Sequence, residues 1–87
     1  MEKPWQLYIL RCGDGTLYTG IAVDAKKRLL AHQSGRGAKY TRGRGPLELV
    51  YTEVCSSHSE ALKRELAVKA MSREEKERLI RETAYPD

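Results

Sequence analysis

The spacing of hydrophobic and polar positions changes several times along the chain, and each change marks an element. Residues 5–11 (Trp-Gln-Leu-Tyr-Ile-Leu-Arg) and 16–21 (Thr-Leu-Tyr-Thr-Gly-Ile) are rich in aromatic and β-branched residues, which predicts two strands. Gly13-Asp14-Gly15 between them predicts a hairpin. Asp24 suits an N-cap, so a helix is expected from there to about Ser34, stopping before Gly35. Leu47 to Val54 alternates and reads as a third strand. Ser57-x-x-Glu60 is a capping box opening a helix to about Ala70, and Ser72-x-x-Glu75 opens another to about Ala84. In this last helix Glu74 and Arg78, and Glu77 and Arg81, stand at i,i+4, which predicts an exposed face. Its thin apolar stripe (Met71, Leu79, Ile80) suits covering the core. The order β-β-α-β-α-α predicts a small α/β domain over residues 1–87, with a three-stranded, mainly antiparallel sheet flanked by helices.

The hairpin loop decides which side chains meet. A two-residue Asp14-Gly15 loop would pair Arg11 with Tyr18 and put Tyr8 and Tyr18 on opposite faces. A three-residue Gly13-Asp14-Gly15 loop, with Gly15 left-handed, pairs Cys12 with Thr16 and Tyr8 with Gly20. Tyr8, Leu10 and Tyr18 then share one face. The second register is the one expected.

Composition narrows the classes. The 87 residues, 40% hydrophobic and 32% charged, suit one small globular domain. The longest apolar run, Leu7 to Leu10, is too short for a membrane span or a secretory signal. Cys12 and Cys55 stand far apart, which argues against a zinc ribbon, a redox dithiol or a disulfide scaffold and makes a reducing cytoplasm the default compartment. Phosphate-binding glycine motifs and a zinc-protease motif are absent. The net charge of +4 comes from sixteen Lys and Arg against twelve Asp and Glu. Residues 34–46 hold Arg36, Lys39, Arg42 and Arg44 and no acid, so the whole excess lies there. With four glycines and Tyr40 interleaved, this segment can approach a phosphate backbone closely and stack on a base. The same composition also suits a solvated surface loop.

Three features fit a purely structural reading poorly. Glu65 lies among Ala61, Leu62 and Val68 on the helical wheel, on the face expected to pack inward, where an unpaired carboxylate is costly. It either snorkels or pairs with Lys69, or it faces a cleft and holds a cation. Arg28 and His32 share one side of the first helix at i,i+4. A guanidinium there can grip a phosphate and a histidine can move a proton near neutral pH, although such a pair also suits an ordinary half-exposed face. Tyr8 and Tyr18 suit strand packing as readily as chemistry.

Taken together, Tyr8, Tyr18 ten residues on, Arg28 ten further, His32 four further and Glu65 on a later helix resemble the GIY-YIG nuclease superfamily. The motif stands here as Gln6-Leu7-Tyr8 and Tyr18-Thr19-Gly20, and the resemblance runs from about Trp5 to Ile80. It is greatest to small stand-alone bacterial GIY-YIG proteins, in which Tyr-Thr-Gly, the Gly-Ala-Lys-Tyr-Thr-Arg-Gly loop and the Ser-Glu-Ala-Leu-Lys-Arg-Glu helix recur. The nuclease module of the bacterial nucleotide-excision-repair incision subunit is also similar. Gln6 and Leu7 replace the first glycine and isoleucine of the name motif. Glu77 stands where several active relatives place an asparagine, about twelve residues after the metal-binding glutamate.

The resemblance implies a GIY-YIG-like fold and an endonuclease hydrolysing phosphodiester bonds, DNA ahead of RNA, in DNA repair or maintenance, with modest or structure-selective activity. It implies one Mg²⁺ (or Mn²⁺) at Glu65 and a catalytic set of Tyr8, Tyr18, Arg28 and His32. Tyr8 would be the general base or water-positioning group, Arg28 would stabilise phosphoryl charge, and His32 would receive or relay a proton. Arg36, Lys39, Tyr40, Arg42 and Arg44 would bind DNA or RNA. No membrane is expected to be involved, and targeting would fall to a protein partner. The alternatives are a nucleic-acid-binding module with a weakened or inactive site, and a protein-interaction domain.

Overall fold

The computed structural model describes residues 3–82. Its elements are β1 (Trp5–Arg11), β2 (Leu17–Ala22), α1 (Ala25–Gln33), a 3-10 turn (Lys39–Thr41), β3 (Glu48–Cys55), α2 (His58–Lys69) and α3 (Arg73–Glu82). This is the expected order. The expected end of the last helix, Ala84, lies outside the described residues. The sheet runs β2-β1-β3, with both neighbours antiparallel to β1. As the middle strand, β1 is covered on both faces, so Leu7 to Leu10 are all buried and its side chains form a continuous apolar run rather than an alternation.

The three-residue hairpin forms. Cys12 N–H donates to Thr16 O at 2.8 Å, Gly15 takes φ +88°, and Tyr8 stands opposite Gly20. Asp14 closes the turn by accepting from Thr16 N–H and from its hydroxyl. Tyr8, Leu10 and Tyr18 therefore share one face, packed with Ala22, Ala25, Leu29 and Leu47 beneath α1. Leu7, Ile9 and Tyr51 form the other face, with Ala61 and Val68 of α2 and the Met71, Leu79 and Ile80 stripe of α3.

The sequence pattern concealed one irregularity in β3. Ile9 pairs with Tyr51 but Leu10 with Leu49, so Val50 is an extra residue in the ladder. Val50 and Tyr51 both pack toward α2, while Leu49 turns to the α1 side. A regular strand would have placed Leu49 and Tyr51 together.

The predicted caps are all made. Asp24 accepts from Lys26 and Lys27 N–H, and Ser57 accepts from Glu60 N–H. The Ser72/Glu75 box closes in both directions, at 2.9 and 3.1 Å. Two departures from the family motif acquire structural explanations. Gln6 accepts the free N–H of Ala25 at 2.7 Å, tying β1 to the start of α1. Glu77 is held by Arg11 through two 2.9 Å hydrogen bonds and by Arg73 at 3.1 Å. It thus faces the sheet end rather than forming the expected solvent-side pair with Arg81. A second ion pair, Arg64 with Glu53 at 2.7 Å, ties α2 to β3.

The fork of Arg11, with help from Arg73, holds Glu77 down at about 2, from an ordinary value near 4.5. A carboxyl depressed in the folded state contributes stability above its unfolded pKa and loses it as pH falls through the folded one. Glu77→Gln should therefore lower Tm at pH 6. The gap to the parent should narrow steadily between about pH 4.5 and 2, as read from paired thermal melts.

Candidate active site

The site lies on the α1 face of the sheet and depends on the register. On β2 no side chain stands opposite Tyr8, because Gly20 sits there. A Cβ on Gly20 would fall 2.6 Å from Tyr8 Oη, 2.8 Å from its Cζ and 3.1 Å from Tyr18 Cε2. The tyrosine ring thus crosses β2 directly over the glycine. Tyr8 is 1% exposed, whereas Tyr18 is half-buried, and the two rings are tilted with centroids 6.3 Å apart.

His32, in the last turn of α1, is 2% exposed and brings Nε2 to 2.9 Å from Tyr8 Oη. Its Nδ1 lies 2.9 Å from Thr41 Oγ1 and 3.2 Å from the Ala38 N–H. Gly37 packs flat against the imidazole, and a side chain there would collide with Nδ1 and Cγ. Tyr18 meets the same ring edge-on, with centroids 5.3 Å apart. Arg28, one turn earlier and exposed, stands near enough for its positive charge to act on the Tyr8 hydroxyl. Burial, then the Arg28 charge, push the His32 pKa down, which favours the neutral imidazole. Burial also raises the Tyr8 phenol to about 12, with further upward pushes from Tyr18 and Glu65 opposed by Arg28. The protein alone therefore holds Tyr8 protonated.

Glu65 stands on α2, near enough for its charge to act on Tyr8. Its side chain is 18% exposed and pairs with Lys69 Nζ at 3.3 Å. Of its predicted neighbours, Ala61 and Val68 are fully buried, but Leu62 is 41% exposed, so Glu65 sits at the margin of the packed face. Among the described residues no three His, Cys, Asp or Glu cluster as metal ligands. One hard carboxylate nonetheless fits a Mg²⁺-type ion, which keeps most of its waters and takes its remaining ligands from phosphate. Glu65 is the residue that would hold it.

The basic segment is folded back onto the hairpin. Tyr40 stacks on Tyr18 with centroids 5.7 Å apart, and the Arg44 guanidinium lies 4.3 Å from the Tyr40 ring centre. Arg44 also pairs with Asp14 at 2.6 Å and donates to Tyr40 O, while Gly13 N–H donates to Arg44 O. Tyr40 and Arg44 are thus engaged within the protein. Arg36, Lys39 and Arg42 are exposed, with no carboxylate partner among the described residues, and Lys26 and Lys27 of α1 extend that free positive charge. Sequence reasoning missed Thr41, Ala38 and Gly37, which reach His32 only because the segment folds over it. The one available signal was that Gly37 and Thr41 lie inside the Gly-Ala-Lys-Tyr-Thr-Arg-Gly segment already quoted for the resemblance.

A hairpin-borne tyrosine pair joined by a helix arginine and histidine defines a recognisable class of site. The model of the GIY-YIG catalytic domain matches residues 4–78, and the chain belongs to that family, a nuclease superfamily. Within it the chain is similar to small UPF0213 proteins. One from Staphylococcus saprophyticus is 53% identical over 82 residues, covering 94% of this chain and 99% of that protein. One from Natronomonas pharaonis is 50% identical over 80 residues, covering 92% and 94%. The solution NMR structure of the UPF0213 protein BH0048 from Bacillus halodurans aligns with a TM-score of 0.62 at 47% identity, over 95% of this chain and 88% of that one.

Proposed function

We propose that the chain is a metal-dependent endonuclease that hydrolyses nucleic-acid phosphodiester bonds, with DNA ahead of RNA and structure-selective action in DNA maintenance. The observation that carries this is the Tyr8 hydroxyl at 2.9 Å from His32 Nε2, within electrostatic reach of both Arg28 and Glu65. Arg28, the exposed member, meets a phosphoryl oxygen with its planar fork and stabilises charge gathering there. Tyr8, once its own proton has passed to solvent, positions the attacking water and takes that water's proton as the P–O3′ bond breaks. Tyr18 lines the approach. Glu65 holds Mg²⁺ or Mn²⁺, which when bound stabilises charge on the phosphate and on the leaving oxygen. No helix among the described residues is long and apolar enough to cross a membrane, and the reading needs none.

Nucleic acid would lie along Arg36, Lys39 and Arg42. Arg42→Gln should weaken DNA binding across sequences and reduce the salt slope by about one unit. Arg44→Gln should instead release Tyr40 and loosen the segment, with a smaller change in slope. Binding titrations from low to high salt separate the two outcomes.

A second reading, a nucleic-acid-binding module with a weakened site, draws on two observations. Lys69 occupies Glu65, and Tyr8 is held far from its phenolate form. Cleavage of labelled single-stranded, duplex, flap and branched DNA and matching RNA, with Mg²⁺, Mn²⁺ or chelator, decides between the two readings. Glu65→Ala, purified identically, is the control. Metal-dependent cutting lost in the variant is the expected result. Salt-sensitive binding without cutting would favour the module, and equal cutting by both proteins would overturn the site assignment.

A further inference from the structure

A histidine beside a tyrosine suggests a proton acceptor, but the groups behind His32 point the other way. One fixed donor and one hydroxyl converge on Nδ1. The Ala38 backbone N–H is aimed at it from 3.2 Å, and Thr41 Oγ1 lies at 2.9 Å. If Nδ1 carried a proton, the Ala38 N–H would face another N–H and lose its partner, which a part-buried backbone donor rarely does. If Nδ1 is bare, it accepts from Ala38 and from the Thr41 hydroxyl. The Thr41 hydroxyl also lies 2.9 Å from the Ala38 carbonyl, its alternative acceptor, but that carbonyl already accepts the Thr41 backbone N–H at 3.1 Å. The bare-Nδ1 arrangement is the one that keeps the Ala38 backbone N–H paired.

We propose that Thr41 and the Ala38 N–H fix His32 as the Nε2–H tautomer, so that His32 donates a hydrogen bond to Tyr8 Oη, with Thr41 as the positioning residue behind it. Tyr8 Oη then accepts from the imidazole N–H, with the Arg28 charge acting on it, and its own proton is free to point at substrate. In the nuclease reading, on which this role rests, the imidazole N–H and the Arg28 charge stabilise the oxyanion left when that proton departs to solvent. His32 holds charge on Tyr8 rather than carrying the proton away. Gly37 belongs to the same device, since only a residue without a side chain lets the segment lie against the ring.

The tautomer can be read without any activity. Two-bond ¹H–¹⁵N correlation spectra of the full ¹⁵N-labelled chain at pH 8 separate protonated from unprotonated ring nitrogens. His32→Gln distinguishes His32 from His58. The expected pattern is protonated Nε2 and unprotonated Nδ1, and a protonated Nδ1 would overturn the proposal. Thr41→Val, which keeps the shape and loses the hydroxyl, should shift Nδ1 and admit some of the other tautomer. In the cleavage assay it should lower kcat roughly five- to tenfold with KM unchanged, and Thr41→Ser should restore both readouts. If Thr41→Val does not fold, Thr41→Ser and the parent spectra still decide the tautomer. Unchanged His32 shifts in a folded Thr41→Val would overturn the part given to Thr41. A parent with the expected tautomer that cuts nothing would sink the nuclease reading and leave the tautomer standing.

Discussion

Replacing Tyr8 by Phe should lower the cleavage rate by roughly two orders of magnitude or more while DNA binding stays within a few-fold of the parent. The ring stays and only the hydroxyl goes, so β1 and its neighbours keep their packing. What is lost is the group that receives the proton of the attacking water, and general-base groups of this kind contribute roughly a hundred- to ten-thousandfold. The variant also strips His32 of its partner at 2.9 Å. A buried ring nitrogen left without a partner costs about 1–3 kcal/mol, so the melting temperature should fall as well. Single-turnover rates at saturating protein, read beside an equilibrium binding titration, separate the two effects. A variant that cuts at the parental rate would remove Tyr8 from the chemistry.

Gly20→Ala should damage stability and activity together. The added methyl group arrives 2.6 Å from the Tyr8 hydroxyl and 2.8 Å from its Cζ, and Tyr8, at 1% exposure, has no free space to retreat into. Overpacking of this kind costs about 1–3 kcal/mol. The hydroxyl must shift away from His32 Nε2 and Arg28 even if the chain still folds, so cleavage should fall at least as far as in Tyr8→Phe. Denaturant unfolding gives the stability term, and rescue of folding without rescue of cutting at low temperature would isolate the positional one. Thr19→Ser next door is the control. Its hydroxyl is buried with no partner among the described residues, and Thr19 stands opposite Ile9 on the α2 face, so losing only its methyl group leaves the Tyr8–His32 contact intact.

These two expectations show how sequence and structure divided the work. The hairpin turn was legible because Gly13-Asp14-Gly15 admits few loop geometries. That one choice set Tyr8 against Gly20 and placed both tyrosines on one face. The caps at Asp24, Ser57 and Ser72 were legible for the same reason, since each is a bond between residues two or three apart. Arg28 and His32 could be placed on one side of a helix from their spacing alone. The bulge at Val50 could not be foreseen, because it answers to the packing of two faces at once rather than to the alternation within β3. Glu77 was misread as an outward residue, since its partner Arg11 lies 66 positions away.

The basic segment marks the limit most clearly. Its charge was plain in the sequence and pointed to phosphate. Tertiary folding divided its residues, leaving Arg36, Lys39 and Arg42 exposed with no carboxylate partner among the described residues, setting Tyr40 and Arg44 against the hairpin, and burying Thr41 beside His32. Local bonds and short-range periodicity determined the elements, the register and the family motif, because the forces that set them act within a few residues. Only the folded chain decided which ring nitrogen faces Tyr8 and which cations are engaged on the hairpin. Each outcome depends on groups far apart in sequence being brought together, and around His32 on a buried space where every donor needs an acceptor.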